Sequence, residues 1–288
     1  MINQNDITVQ GSTAWKNHRR NCITATDISK IIGINPWCTA LKLWNQKLGL
    51  ELQQQENESM RRGSELEPIA LTRFIQEVGI VLYPEVVFHS VDKWKMASLD
   101  GLSRRKWRAV EIKCSQKIYE KAKQGIIDDI YRCQMNWQMY CLDMREMYFA
   151  AYWDGDMIII EIKRDDDFLN EIMPKIHEFY RCMMDFTPPP ATDHDFVKRD
   201  SKEWRIHAEI WKQTKAEIKL LEAKEECLRN ELIDMCDGQS SQGNGIRVSK
   251  CLKKGIVDYS SIECLKSVNL DDYRKKPTQY YRISENET

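Results

Sequence analysis

The spacing of apolar residues changes from helical to strand-like and back along this 288-residue chain, and no other feature limits the fold as much. Before residue 80 the spacing is helical. Thr26 is placed to cap Asp27 to Ile32, closed by Gly33, and Thr39 to cap a helix carrying Leu41, Trp44 and Leu48, closed by Gly49. After a polar loop over 51–59, residues 64–78 put Leu71, Ile75 and Val78 on one stripe that stops at Gly79. From 80 to 113 the period drops to two, in bursts at Val81 to Tyr83, Val86 to Phe88, Met96 to Leu99 and Ala109 to Ile112, which predicts a β-meander. Residues 126–142 return to helix, 146–153 and 157–163 form a hairpin around Asp154 and Gly155, and 167–185 are helical again. Helix, strands, helix, strands, helix is the order of a mixed α/β domain.

The pattern breaks at Pro188, Pro189 and Pro190, which ends the main domain. A long helix follows over 201–236, with Trp204, Trp211, Ile218, Leu221, Leu228, Leu232 and Met235 falling on alternating steps of three and four, an a/d seam. Residues 237–245 have the composition of a flexible linker, and the last forty or so residues carry short strands and one small helix. The expected division is a domain at 1–195, a heptad-patterned helix at 196–238 and a small α+β appendage at 239–288.

Composition excludes several classes. With 43 Lys+Arg against 44 Asp+Glu the net charge is −1, so the whole molecule is not a polycation, and attraction to phosphate must come from local asymmetry. Such asymmetry occurs at 101–125, where Arg104, Arg105, Lys106, Arg108, Lys113, Lys117, Lys121 and Lys123 stand against Glu111 and Glu120. A stripe of this kind can hold a nucleic-acid backbone, although charge runs are commonly only solvated faces. The ten cysteines are scattered and contain no C-x2-C pair, which disfavours zinc ribbons and iron–sulfur clusters and fits reduced thiols. No apolar run reaches the length of a membrane span, and the start Met1 to Asp6 lacks the basic and apolar regions of a secretion signal. The expectation is a cytoplasmic protein with no membrane attachment.

The chemistry concentrates at Leu99, Asp100 and Gly101, followed by a basic turn and then Glu111, Ile112 and Lys113. Strand side chains alternate, so Glu111 and Lys113 share one face while Val110 and Ile112 point to the other, the core. If Asp100 meets that face, two carboxylates and an ammonium converge, a grouping suited to metal-assisted phosphodiester hydrolysis. The competing reading is a hairpin turn with a solvated strand face. Glu161, Ile162 and Lys163 repeat the triplet beside the short turn Asp154 to Asp156 and read as an ordinary hairpin edge. Glu67 is a candidate third carboxylate, but beside Ser64 and Pro68 it is also placed as the N3 partner of a capping box. Arg19 and Thr26, close to a helix start, have the chemistry of a phosphate grip or of a plain surface and cap.

These pieces occur in one order: Trp15 and Arg19, then Ile23 to Asp27; Asn35, Pro36 and Trp37 with Leu43 and Trp44; Gly63, Leu66, Glu67 and Pro68; Leu99 to Gly101; Glu111 to Lys113; and Tyr131, Gln134, Gln138 and Met139. Over roughly residues 10–165 the chain resembles the YqaJ-like viral recombinase family, relatives of phage lambda exonuclease in the PD-(D/E)xK nuclease superfamily. The resemblance implies a restriction-endonuclease-like core, a mixed central sheet flanked by helices. In it Asp100, Glu111, the Ile112 carbonyl and Glu67 would hold Mg2+, with Mn2+ as a substitute. Lys113 would be the water-activating lysine, Gln134 a support from the following helix, and Arg19 and Thr26 the grip on DNA phosphate.

The implied activity is 5′-to-3′ resection of double-stranded DNA ends for phage-type recombination. It carries with it a single-strand annealing protein as partner, homo-oligomer formation, and a place in a bacterial cytoplasm or that of an infected host. An endonuclease on the same metal site and a non-cleaving DNA-binding scaffold are the alternatives. The sequence departs from the pattern in having Leu99 where Pro is usual, and residues 196–288 have no counterpart in the compact lambda enzyme.

Overall fold

The computed structural model describes residues 13–51, 58–105, 107–258, 261–265, 268 and 273. Lys106, Tyr259, the middle of the polar loop at 51–59 and most of the expected appendage after 258 lie outside the described residues. The chain divides into two compact units, Met1–Phe196 and Val197–Thr288. No helix among the described residues is long and apolar enough to cross a membrane, and no cysteine pair among them forms a disulfide.

The first unit opens with helix α1 (Thr13–Arg20), strand β1 (Ile23–Thr24), a 3-10 turn (Ala25–Asp27) and the short helix α2 (Ile28–Ile31). Helix α3 (Ala40–Lys47) and the long helix α4 (Glu58–Val78) follow, then β2 (Tyr83–Phe88), β3 (Lys95–Leu102), β4 (Ala109–Cys114), α5 (Gln116–Lys123) and α6 (Asp129–Leu142). The hairpin β5 (Glu146–Trp153) and β6 (Asp156–Lys163) and helix α7 (Asp166–Met184) complete it. The expected mixed α/β order is the observed one. Thr39 caps α3 by accepting from the Lys42 amide at 3.1 Å, and Asp154 and Gly155 turn the hairpin with φ of 51° and 87°, the mirror-image turn that matches strand twist.

Three local readings change. The first cap is Thr24, whose amide and hydroxyl donate to Asp27 Oδ2 at 3.0 and 2.7 Å, so Thr26 lies inside the turn. Helix α4 begins at Glu58, not near Ser64; the Ser64 hydroxyl donates back to the Met60 carbonyl at 3.2 Å. Glu67 is therefore mid-helix and not an N3 capping residue. Helix α5, with Lys117, Lys121 and Lys123, fills a stretch to which the periodicity assigns no element.

The six-stranded sheet runs β1-β3-β4-β5-β6, with β2 also pairing β3. β1 and β3 are parallel, as are β4 and β5; the remaining pairs are antiparallel, so β2, β3 and β4 form the expected meander. Met96 pairs with Thr24 on one side and Phe88 on the other, and Leu102 pairs with Ala109 and Tyr83 in the same way. One edge of β3 is thus taken by β2, and the other is shared by β1 at its start and β4 at its end. β3 and β4 are in register only at Gly101–Val110 and Leu102–Ala109, so the two strands fork immediately before Gly101 and after Val110. Backbone groups in the fork need other partners: Trp137 Nε1 donates to the Met96 carbonyl at 3.1 Å and Gln138 Nε2 to the Ser98 carbonyl at 3.0 Å, both from α6.

Two apolar layers hold the sheet. Ala97, Leu99, Phe149 and Ala151 pack with Trp137, Met135, Met139, Ile172, Ile176 and Phe179 on the side of α6 and α7. Val110, Ile112, Ala150 and Tyr152 pack with Ala70 and Phe74 of α4 on the other. At Gly101 a Cβ would stand 2.9 Å from Leu71 Cδ1 and from Val110 Cγ1. Glycine there lets α4, β3 and β4 approach at the mouth of the fork.

The second unit holds α8 (Lys202–Asp234), capped by Ser201, which accepts from the Trp204 amide at 3.2 Å. A small hairpin, β7 (Ser241–Gly243) and β8 (Ile246–Val248), follows. The stretch read as a flexible linker therefore contains a strand and a tight turn. Asn244 and Gly245 turn the chain with φ of 48° and 79°, which suits the Asn-Gly preference for such turns.

Candidate active site

Asp100 ends the unpaired part of β3 and Glu111 begins the unpaired part of β4, so the fork carries one carboxylate on each arm. Both are buried, with exposures of 8% and 1%. Asp100 Oδ2 accepts the Ile112 amide at 2.7 Å, a side chain replacing a ladder bond where the strands part. Glu111 is held from three directions: Lys113 Nζ and Gln134 Nε2 donate to Oε1, and Gln138 Nε2 donates to Oε2. Gln134 and Gln138 are one helical turn apart on α6 and so share a face. Gln138 ties the Glu111 carboxylate to the Ser98 carbonyl and is itself fully buried.

A cavity of about 200 Å³ opens onto these groups, lined by Trp15, Arg19, Thr24, Ala25, Thr26, Glu67, Ser98, Asp100, Glu111, Lys113 and Gln134. Every candidate side chain named from the sequence thus faces one cavity: Glu67 from α4, Arg19 from α1, Thr26 from the 3-10 turn, and the others from β3, β4 and α6. Arg19 Nη2 donates to Thr26 Oγ1 at 2.7 Å, and its guanidinium lies 5.0 Å from the Trp15 ring centroid. Glu161 and Lys163 are exposed on β6 and line no part of this cavity.

The N-terminal wall is set by a pair whose roles the motifs do not reveal. Lys47 of α3 is 8% exposed and Asp27 only 2%. Lys47 Nζ lies 2.6 Å from Asp27 Oδ2 and donates to the carbonyls of Arg19 and Cys22 at 2.9 and 2.7 Å. One ammonium thereby ties the end of α1 to the turn carrying Thr26. Burial would raise the Asp27 carboxyl, but Lys47, Lys30 and Arg19 hold it well below the usual range.

The carboxylates in the fork differ. Burial first, then the neighbouring Glu111 charge, raises Asp100 well above its ordinary value, with Lys113 opposing. Burial also raises Glu67, with Lys113 opposing and Glu111 adding to the rise. Burial would lower Lys113, yet Glu111 and Asp100 push it above the usual lysine range, so its Nζ is a cation at neutral pH.

Three acids therefore share one ammonium, and the surplus negative charge is buried. Hard oxygen donors short of positive charge fit a divalent cation such as Mg2+. Among the described residues no three His, Cys, Asp or Glu side chains stand close enough together to hold one ion. The donor set that suits a cation is accordingly the fork pair, with Glu67 at the cavity wall.

Of the basic stripe at 101–125, Arg108 pairs with Glu146 at 3.4 Å and Lys123 with Glu120 at 3.6 Å, and Lys121 pairs with Asp128. Arg104, Arg105 and Lys117 are exposed. Much of the local positive charge is thus already matched within the fold.

The chain is similar to several known proteins. Protein YqaJ of Bacillus subtilis, a protein without an assigned role, is 26% identical over 186 residues, 62% of this chain and 58% of that protein. The chain therefore spans little more than half the length of that relative. Crystal structures of LHK-Exo, an alkaline exonuclease from Laribacter hongkongensis solved alone and in complex with dAMP, superpose with a TM-score of 0.52 at 27% identity, covering 60% of this chain and 93% of theirs. Residues 14–145, which contain the fork, the cavity wall and helix α6, match the family profile of the YqaJ-like viral recombinase domain.

Proposed function

We propose that this domain is a Mg2+-dependent deoxyribonuclease that resects double-stranded DNA ends in the 5′-to-3′ direction. The observation that carries the reading is the strand fork, which presents Asp100, Glu111 and Lys113 to the same cavity as Arg19 and Thr26. The likeness to an alkaline exonuclease supports cleavage over mere binding. A DNA substrate at an end being recombined also fits a cytoplasmic site of action and a single-strand annealing protein that takes up the exposed 3′ strand.

In this reading Asp100, Glu111 and the Ile112 carbonyl would hold the cation, with Glu67 supporting it from α4. The bound cation would polarise the scissile phosphate and make a nearby water more acidic. Gln134 and Gln138 fix the plane of the Glu111 carboxylate, so the acid does not rotate as charge develops. Lys113 Nζ, held protonated by its acidic neighbours, orients the attacking water and stabilises negative charge on the phosphoryl oxygens. Arg19 grips a phosphate through its guanidinium, with the Thr26 hydroxyl as second donor. A terminal 5′-phosphate seated there would set the scissile bond by position and not by base sequence.

A linear duplex labelled at either end, with and without 5′-phosphate, tests this directly. With Mg2+ the 5′ strand should shorten progressively, faster when phosphorylated, and Lys113→Ala should slow it by about 10²- to 10³-fold. Internal cutting of a covalently closed circle would defeat the exonuclease reading. DNA binding with no Mg2+-dependent loss of either strand would defeat the nuclease reading altogether.

A further inference from the structure

Helix α8 has 33 residues, about 50 Å at 1.5 Å per residue, and none of its side chains is buried. Its seam is open: Trp204 is 57% exposed, Leu221 65% and Met235 75%. A seam at heptad spacing is the shape of another helix, and the flanking charges specify which one.

With Trp204, Trp211, Ile218, Glu225 and Leu232 at a, and His207, Thr214, Leu221, Leu228 and Met235 at d, the flanking residues include Lys215, Glu222 and Arg229 at e, and Glu217, Lys224 and Glu231 at g. A second copy laid parallel in register would set Glu217 against Glu222 and Lys224 against Arg229, both repulsive. An antiparallel copy centred between Lys219 and Leu220 reverses this. Ile218 then faces Leu221, Trp211 faces Leu228, Trp204 faces Met235, and the one acidic a position, Glu225, faces Thr214. On the flanks Lys215 meets Glu222 and Glu217 meets Lys224, each twice by symmetry.

We propose that α8 mediates self-association of this chain as an antiparallel two-helix coiled coil in this register. The groove between the C-terminal half of α8 and the β7–β8 hairpin, lined by Leu228, Leu232, Ile246 and Val248, lies where this register brings the aromatic N-terminal half of the second copy. Trp204 and Trp211 supply large apolar anchors of the kind that dominate such contacts.

Sedimentation of the full chain over a concentration series tests the proposal. The wild type should associate, and the double substitution Ile218→Asp and Leu221→Asp should halve the assembly mass with helix content retained by circular dichroism. Glu217→Lys alone should weaken association about tenfold, since two attractive pairs become repulsive. Adding Lys224→Glu to it should restore association. A monomeric wild type, or an assembly unchanged by the seam substitutions, would overturn the proposal. Stronger association of Glu217→Lys would also overturn it, in favour of a parallel pair. So would a double charge exchange no better than the single one.

Discussion

Asp27, in the turn that carries Thr26, and Asp100, in the cavity itself, are both buried carboxylates, yet the fold treats them oppositely. Asp27 is enclosed by Lys47, Lys30 and Arg19 and kept ionised. Asp100 shares a single ammonium with Glu111 and is driven toward its protonated form. The structural acid is neutralised by its own chain, whereas the acid proposed to meet an external cation is left short of positive charge. The cost of that shortage falls on the metal-free protein.

The sharpest test of the contrast is to remove each charge in turn. Asp100→Asn should abolish most cleavage, by about a thousandfold in kcat, as expected when a cation's Lewis-acid contribution of several kcal/mol is lost; single-turnover digestion measures it. Asp27→Asn should act on stability, since it leaves the buried Lys47 ammonium without its counter-charge, held only by the carbonyls of Arg19 and Cys22. Breaking such a buried pair costs about 3 to 5 kcal/mol, read from denaturant unfolding. If Asp27→Asn left stability intact while Asp100→Asn unfolded the protein, the distinction between the two acids would collapse.

A smaller effect has the opposite sign. In metal-free buffer Asp100→Asn should raise the melting temperature by about 2 to 4 °C, the shift expected for roughly 1 kcal/mol in a unit of this size. The pH dependence follows from the same difference. Asp100 binds its proton more tightly folded than unfolded, so its contribution to stability declines as pH rises from about 4 through its raised folded value. Asp27 binds its proton less tightly folded, so its contribution is complete above about 4 and disappears as pH falls through its lowered value. Thermal melts in chelator from acid to neutral pH should show the alkaline-side decline in the wild type and a flatter profile in Asp100→Asn. At the bottom of the scale, Lys163→Met on β6 should change neither cleavage nor stability beyond about 0.5 kcal/mol.

The sheet and its acids were readable because strand alternation places Glu111 and Lys113 together and Val110 and Ile112 in the core, as observed. Glu67 was harder. Pro68 sits four residues after a serine, a pattern that imitates a helix start, and only the earlier start at Glu58 shows it to be inside α4. Gln138 was visible in the ordered motif but had no chemistry until its bonds to Glu111 and Ser98 appeared, although its spacing from Gln134 marks a shared face. Lys47 carries no local signal at all, because its partners lie 20 to 28 positions earlier and tertiary packing alone brings them together. The linker reading of 237–245 failed for a simpler reason: composition was weighed above the Asn244 and Gly245 turn.

The bond from the Ile112 amide to Asp100 also gives the fork a spectroscopic voice. That amide sits between two strands and donates to the very carboxylate whose ionisation is in question. Its proton chemical shift should follow the charge on Asp100 during a titration or on addition of a cation, so a single backbone resonance can report the state of the site without substrate, label or turnover.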